Sequence, residues 1–134
     1  MLTTAPTVLA SHQVLVVEDD EDFRFLVANA LRERGHDVLE APNGGFALRS
    51  WFGSDSSAMP DVIVSDLRMP GLSGLGLLTL LRGEEWHGLF VLITAFPEDS
   101  TYERAKELGA VVVAKPVDIM ALADMVDRCV RIGS

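Results

Sequence analysis

The sequence predicts a doubly wound α/β sandwich made of five β-α units. Three observations carry that expectation. First, five short runs rich in Val, Ile and Leu recur along the chain, at Val14–Val17, Val38–Ala41, Val62–Ser65, Leu89–Thr94 and Val111–Ala114. Most do not alternate with polar residues, which suits strands buried on both faces of a parallel sheet. Second, each run is followed by a segment with helical spacing, and such alternation implies right-handed crossovers with helices on both faces. Third, 134 residues make one domain. A domain of this size buries roughly two-thirds of the surface its unfolded chain exposes.

After the first run, Phe23, Leu26, Val27, Ala30 and Leu31 keep the i, i+3, i+4 spacing of one helix face, and Gly35 supplies the stop. Asn43 is placed to cap a short helix carrying Ala47, Leu48 and Trp51. Residues Leu75 to Arg82 form a third, nearly all-apolar helix. Asp99 to Leu108 form a fourth, ended by Gly109, whose thin stripe of Tyr102, Ala105 and Leu108 makes it the least firmly anchored. Asp118 caps a fifth, with Ile119, Leu122, Ala123, Val126 and Val130 facing inward. The polar stretch Gly53–Met59 reads as a loop, and GLSGLG at 71–76 as a turn. Residues 1–11 are expected to be a short tail and 12–132 the folded domain, with no output domain in this chain.

The apolar share of 49% favours a globule over a disordered segment. A formal charge of −9 argues against nucleic acid or an anionic membrane as a direct ligand, since both need a basic face. Cys129 is the single cysteine, expected to be a small apolar residue on the last helix. No apolar run approaches the ~18 residues that span a bilayer, and Met1 to His12 lacks the basic and apolar parts of a signal peptide. A cytoplasmic location is expected. No metal or catalytic spacing joins His12, His36 and His87, and Trp51 and Trp86 are expected to serve packing.

In an open α/β sheet, ligands bind at the carboxyl ends of the strands. The first run ends in Glu18, Asp19 and Asp20, the third in Asp66, the fourth in Thr94 and the fifth in Lys115 before Pro116. In the flavodoxin-like strand order 2-1-3-4-5, the switch point falls between strands one and three, where these acids meet. Two carboxylates about 4 Å apart repel by roughly 4 kcal/mol at an effective dielectric of 20, so such a cluster raises a pKa or binds a cation. Hard oxygen ligands with room for water suit Mg²⁺. Lys115 would supply a point charge for a phosphate oxygen, Thr94 a hydroxyl, and a carboxylate can serve as a nucleophile that forms an acyl phosphate. These considerations leave open which acid that is.

The segments VLVVEDD at 14–20, PDVIVSDLRMPG at 60–71, VLITA at 91–95 and AKP at 114–116 resemble the receiver domain of bacterial two-component response regulators, over about residues 12 to 132. The resemblance implies that Asp66 is the phosphoacceptor. It implies that Glu18 and Asp19 hold Mg²⁺ with Asp66 and the backbone carbonyl of Arg68, Asp19 being the more direct ligand. Thr94 would be the switch hydroxyl and Lys115 the phosphate-binding lysine, its bond to Pro116 cis. Asp20 and Asp22 remain first-turn helix acids. The implied donor is a histidine kinase or a histidine phosphotransfer protein, and the implied output is an unknown downstream protein. The chain would be a monomer or weak dimer, and a switch rather than an enzyme, catalysing only its own phosphorylation and dephosphorylation.

One departure is Val112, three residues before the lysine, where receivers often carry Tyr or Phe as a rotamer switch coupled to the threonine. Phe96, Ala95 and Pro116 are expected to rim the pocket, with Phe96 hindering attacking water. A phosphatase of the haloacid dehalogenase type also uses a strand-end Asp but needs a second one two positions later, where Arg68 stands. A nucleotide or flavin module would need a glycine-rich loop after the first strand, where acids stand instead. The alternative within the family is a degenerate receiver acting as a phosphorylation-independent binding module.

Overall fold

The five aliphatic runs form the strands of one parallel sheet, and the segments between them form helices. A computed structural model describes residues 12–52 and 59–133; the expected tail, the core of the Gly53–Met59 loop and the Trp51 side chain lie outside the described residues. The order is β1 (Gln13–Val17), α1 (Glu21–Glu33), β2 (Asp37–Ala41), α2 (Gly44–Phe52), β3 (Val62–Asp66), α3 (Gly74–Gly83), β4 (Leu89–Thr94), α4 (Asp99–Glu107), β5 (Val111–Ala114) and α5 (Ile119–Gly133). The sheet order is β2-β1-β3-β4-β5, as expected. All four strand pairs are parallel.

Successive side chains of a strand point to opposite faces, and the central strands fill a core on each side. Val14, Val16, Val62, Val64, Val91 and Ile93 pack with Val27, Ala28 and Leu31 of α1 and with Leu122, Ala123, Val126 and Val130 of α5. Leu15, Val17, Ile63, Phe90 and Leu92 pack on the other face with Ala47 of α2 and Leu77, Leu78 and Leu81 of α3. Burying one such side chain is worth about 1.5–3 kcal/mol. Trp86 packs in the second core, where its indole N–H donates to the Pro60 carbonyl at 2.8 Å.

Asn43 and Asp118 cap their helices as expected, accepting from the N–H groups of Phe46 and Ala121. Asp22 lies in the first turn of α1 as expected, whereas Asp20 stands one place before the helix as its N-cap and accepts from the Phe23 N–H. Gly35 ends α1 with a φ of 90° that side-chain-bearing residues rarely adopt. Three further expectations need correction. On α1 the buried face is Val27, Ala28 and Leu31, while Leu26 is 57% exposed. The inward stripe begins one turn earlier at Arg24, a position that apolar periodicity alone passes over. On α4 the inward residues are Thr101 and Ala105, with Tyr102 exposed, because a threonine occupies the place one turn before Ala105. The second half of GLSGLG is the first turn of α3, capped by Ser73, whose hydroxyl accepts from the Gly76 N–H. There a Cβ on Gly74 would collide with the Asp66 carbonyl oxygen. A glycine thus lets α3 start directly against the end of β3.

Among the described residues, no helix is long and apolar enough to cross a membrane. Cys129 is a half-buried free thiol on α5. His36 is buried between α1 and β2, where its Nε2 lies 2.6 Å from Asp127 Oδ1 on α5. Arg34 Nη1 reaches Asp127 at 2.7 Å and Asp124 at 2.8 Å. This network ties the C-terminal end of α1 to α5. Burial pushes the Asp127 pKa up, and hydrogen bonds from His36 and Arg34 more than offset it, leaving the carboxyl below its ordinary value. A depressed carboxyl contributes stability above its unfolded pKa and loses it as the pH falls through the folded one. Asp127→Asn is therefore expected to cost about 2 kcal/mol at neutral pH. Urea denaturation should show that gap closing as the solution is acidified below the ordinary carboxylate range.

Candidate functional site

Register brings the polar strand ends together. Val17 is level with Ser65, so Glu18 follows β1 beside Asp66 at the end of β3. Asp66 is level with Ile93, and Thr94 with Ala114, so Thr94 and Lys115 follow at the next levels on β4 and β5. Backbone bonds hold this edge closed: Leu67 N–H donates to the Ile93 carbonyl at 2.8 Å and Lys115 N–H to the Thr94 carbonyl at 2.8 Å. The Lys115–Pro116 bond is cis.

Glu18 is 3% exposed, Asp66 8% and Thr94 1%. The Lys115 ammonium lies 2.9 Å from Asp66 Oδ1 and 3.7 Å from Glu18 Oε1. One oxygen each of Glu18, Asp19 and Asp66 lies within 4.8 Å of the other two, the only such trio of acids, histidines or cysteines among the described residues. Glu18 Oε2 accepts from the Asp19 N–H at 3.0 Å, whereas the buried Oε1 has no hydrogen-bond partner. Burial, and then the nearby Asp66 charge, push the Glu18 pKa up to about 7, against the lowering pull of Lys115. Burial pushes the Lys115 pKa down, but the Asp66 and Glu18 carboxylates outweigh it and the net shift is upward. Three hard oxygens, one of them orphaned and buried, fit a small divalent cation, so the residues present suit Mg²⁺.

The expected rim residues take varied places. Phe96 is 72% exposed, and its N–H donates to Thr94 Oγ1 at 3.3 Å. Ala95 and Pro116 are exposed as well. Arg68 is exposed in the loop after β3, its guanidinium 3.8 Å from Glu98 ahead of α4, an exposed pair worth roughly 0–1 kcal/mol. Val112 is half-buried on β5 and packs into the α2–α3 core. Of the three histidines, His87 stays exposed in a loop, the His12 and His36 ring centroids lie 6.1 Å apart, and none joins the Glu18–Asp19–Asp66 trio.

Two residues of this edge escaped the sequence reading. Arg24 Nη1 donates to the Glu18 carbonyl at 2.8 Å, and its Nε bonds Glu40 Oε1 at 3.1 Å, so it anchors the backbone that carries the acids. Its signal was available: a cation near a helix N-terminus opposes the helix dipole and needs a partner. Phe23, read only as an apolar helix position, lies with its ring centroid 5.0 Å from the Lys115 ammonium.

Comparison with known proteins gives a consistent picture. Residues 14–127 match the family model described as the response regulator receiver domain. The regulatory protein AtoC of Escherichia coli is 31% identical over 126 residues, covering 93% of this chain and 26% of AtoC. The sporulation initiation phosphotransferase F of Bacillus subtilis is 27% identical over 127 residues, covering 94% of this chain and 99% of that protein. The chain thus spans about a quarter of AtoC but nearly all of the phosphotransferase. The response regulator TrrA of Thermotoga maritima, solved in complex with Mg²⁺ and beryllium fluoride, is 27% identical with a TM-score of 0.72, covering 87% of this chain and 96% of that one. With its five-stranded sheet and its acids at the switch point, the chain belongs to the response regulator receiver domains of two-component signalling.

Proposed function

We propose that this chain is a phosphorylation-dependent switch in the cytoplasm, which accepts a phosphoryl group on Asp66 from a histidine kinase or a histidine phosphotransfer protein, with Mg²⁺ bound. The observation that carries this is the contact between Lys115 and the buried Asp66 at 2.9 Å, beside Glu18 and Asp19. Of the three clustered acids, Asp66 makes the shortest contact with Lys115 and stands at the sheet's switch point. The relative solved with Mg²⁺ and beryllium fluoride supports the same use of the site. The folded domain is proposed to run over residues 12–132, with output through a separate protein or segment and with the chain a monomer or weak dimer.

In the transfer, an Asp66 carboxylate oxygen forms a bond to phosphorus while the bond from phosphorus to the donor imidazole nitrogen breaks. The bonding electron pair leaves with the imidazole. Glu18, Asp19, Asp66 and the Arg68 carbonyl would hold Mg²⁺, which when bound neutralises charge on the transferring group. Lys115 exchanges its Asp66 contact for a phosphoryl oxygen. The product adds about −1.5 to −2 charge at pH 7, and Thr94 turns its hydroxyl toward it. The loop from Ala95 to Glu98 follows Thr94, and α4 starts from Glu98 without a side-chain cap. That weakly fastened start lets the change reach the surface.

Intact mass after incubation with acetyl phosphate tests the reading directly. A gain of one phosphoryl group that needs Mg²⁺ and is absent in Asp66→Asn is expected. No gain with acetyl phosphate or with any histidine phosphodonor would leave the chain a phosphorylation-independent binding module.

Cation affinity should depend on pH, because a raised Glu18 pKa near 7 means that a proton competes with the metal below it. Calorimetric titration at about pH 6 and about pH 8 should show Mg²⁺ binding several-fold more tightly at the higher pH, with Glu18→Gln removing the difference. A pH-independent wild type would take Glu18 out of the ligand set.

Phe96, two residues after Thr94 and exposed, is proposed to obstruct water approaching the acyl phosphate. Phe96→Glu is expected to shorten the half-life of phosphorylated protein several-fold in a decay assay; an unchanged or longer half-life would remove Phe96 from that role.

A further inference from the structure

We infer that Phe23 is a positioning residue of this site: the face of its ring holds the Lys115 ammonium over Asp66 and so sets how readily the site engages the phosphoryl group of its donor. The inference rests on the function proposed above and assigns a further residue to it. Among the described residues, groups from three parts of the fold face the Lys115 ammonium. They are Asp66 Oδ1 at 2.9 Å from β3, Glu18 Oε1 at 3.7 Å from the loop after β1, and the Phe23 ring at 5.0 Å from α1.

A lysine ammonium is a compact, strongly hydrated charge on a flexible four-carbon stem. Left to itself it samples many rotamers, and ordering it at the moment of transfer costs entropy. An aromatic face carries negative charge density and attracts a cation, more strongly as the cation loses water. Lys115 keeps 33% of its side-chain surface exposed, so the ring acts on a side chain that is partly withdrawn from water. An aliphatic side chain at position 23 would fill similar space without that attraction.

The ring is itself well fixed. Phe23 packs against the α1–α5 core. Its backbone N–H is held at 3.1 Å by the Asp20 cap, and Arg24 beside it bonds the Glu18 carbonyl. The first turn of α1 therefore carries both a clamp for the acidic loop and a rest for the lysine. When a phosphoryl group arrives, Lys115 gives up Asp66 Oδ1, and the ring contact stays in place through the exchange.

Fluorination of the ring separates this role from packing, because each added fluorine drains the face of charge with little change in size. Phe23 is replaced in the full chain by mono-, di- and trifluorophenylalanine, and also by Leu and Trp. Two quantities are read for every variant whose melting midpoint matches wild type: kcat/KM for acetyl phosphate in Mg²⁺, and the ring-current shift of the Lys115 side-chain protons in the unphosphorylated protein. The expected result is a stepwise fall in kcat/KM along the fluorine series, a loss of about fivefold in Phe23→Leu, and retention in Phe23→Trp. The Lys115 protons should be shifted upfield in wild type and should relax to ordinary values in Phe23→Leu. A fluorine series with no trend, or a wild type without the upfield shift, overturns the inference. A wild type that accepts no phosphoryl group from any donor overturns the proposed function, and with it the kinetic role of Phe23. The ring-current shift would still decide whether the ring holds the lysine.

Discussion

The structure is organised around like charges forced together. Glu18, Asp19 and Asp66 are brought within reach of one another at the carboxyl edge of the sheet, two of them almost without exposure to water. Burial and proximity both oppose ionisation, and the raised Glu18 pKa records the cost. Lys115 offsets part of it from the next strand but one, at 2.9 Å from Asp66. What the lysine leaves unsatisfied, the Glu18 Oε1 atom above all, is a standing demand for positive charge. A site in that condition is suited to a small divalent cation.

The surrounding fold can be understood as the support for that arrangement. A parallel sheet buried on both faces puts all its strand ends on one edge, and the register sets Glu18 beside Asp66. Gly74 lets α3 begin against the Asp66 carbonyl, closing the far side of the loop. Arg24 fastens the Glu18 carbonyl and reaches Glu40 on β2, so the acidic loop is tied to the neighbouring strand as well as to its own helix. The Arg34–His36–Asp127 network fixes the other end of α1 against α5. By contrast, α4 buries only Thr101 and Ala105 and lacks a side-chain cap. The α1–α5 side of the domain is thus firmly anchored and α4 only lightly so.

Much of this was legible in the chain itself. The five strands and five helices lie where aliphatic runs and helical spacing place them, since burial on two faces demands continuous apolar segments. The acids, Thr94 and Lys115 are legible as a group because each stands at or just beyond the carboxyl end of a strand. The misreadings share one cause. Apolar periodicity points Leu26 and Tyr102 inward and passes over Arg24 and Thr101, because it cannot register a polar residue that is buried with a partner or against a small space. The Lys115 contact with Phe23 and the pairing of His36 with Asp127, which lie 91 residues apart, leave no local trace at all.

Sequence alone therefore determined the kind of fold, the sheet order and the set of chemical groups delivered to its active edge, because these follow from periodicity and from position relative to strand ends. Tertiary structure decided the rest: which acid lies closest to the lysine, which carboxylate oxygen is left without a partner, which ring the ammonium rests on and which guanidinium clamps the loop. Those outcomes depend on distances of a few ångströms between residues from different units of the chain. They are set by how helices seat on the sheet, and no local pattern of residue types encodes that seating.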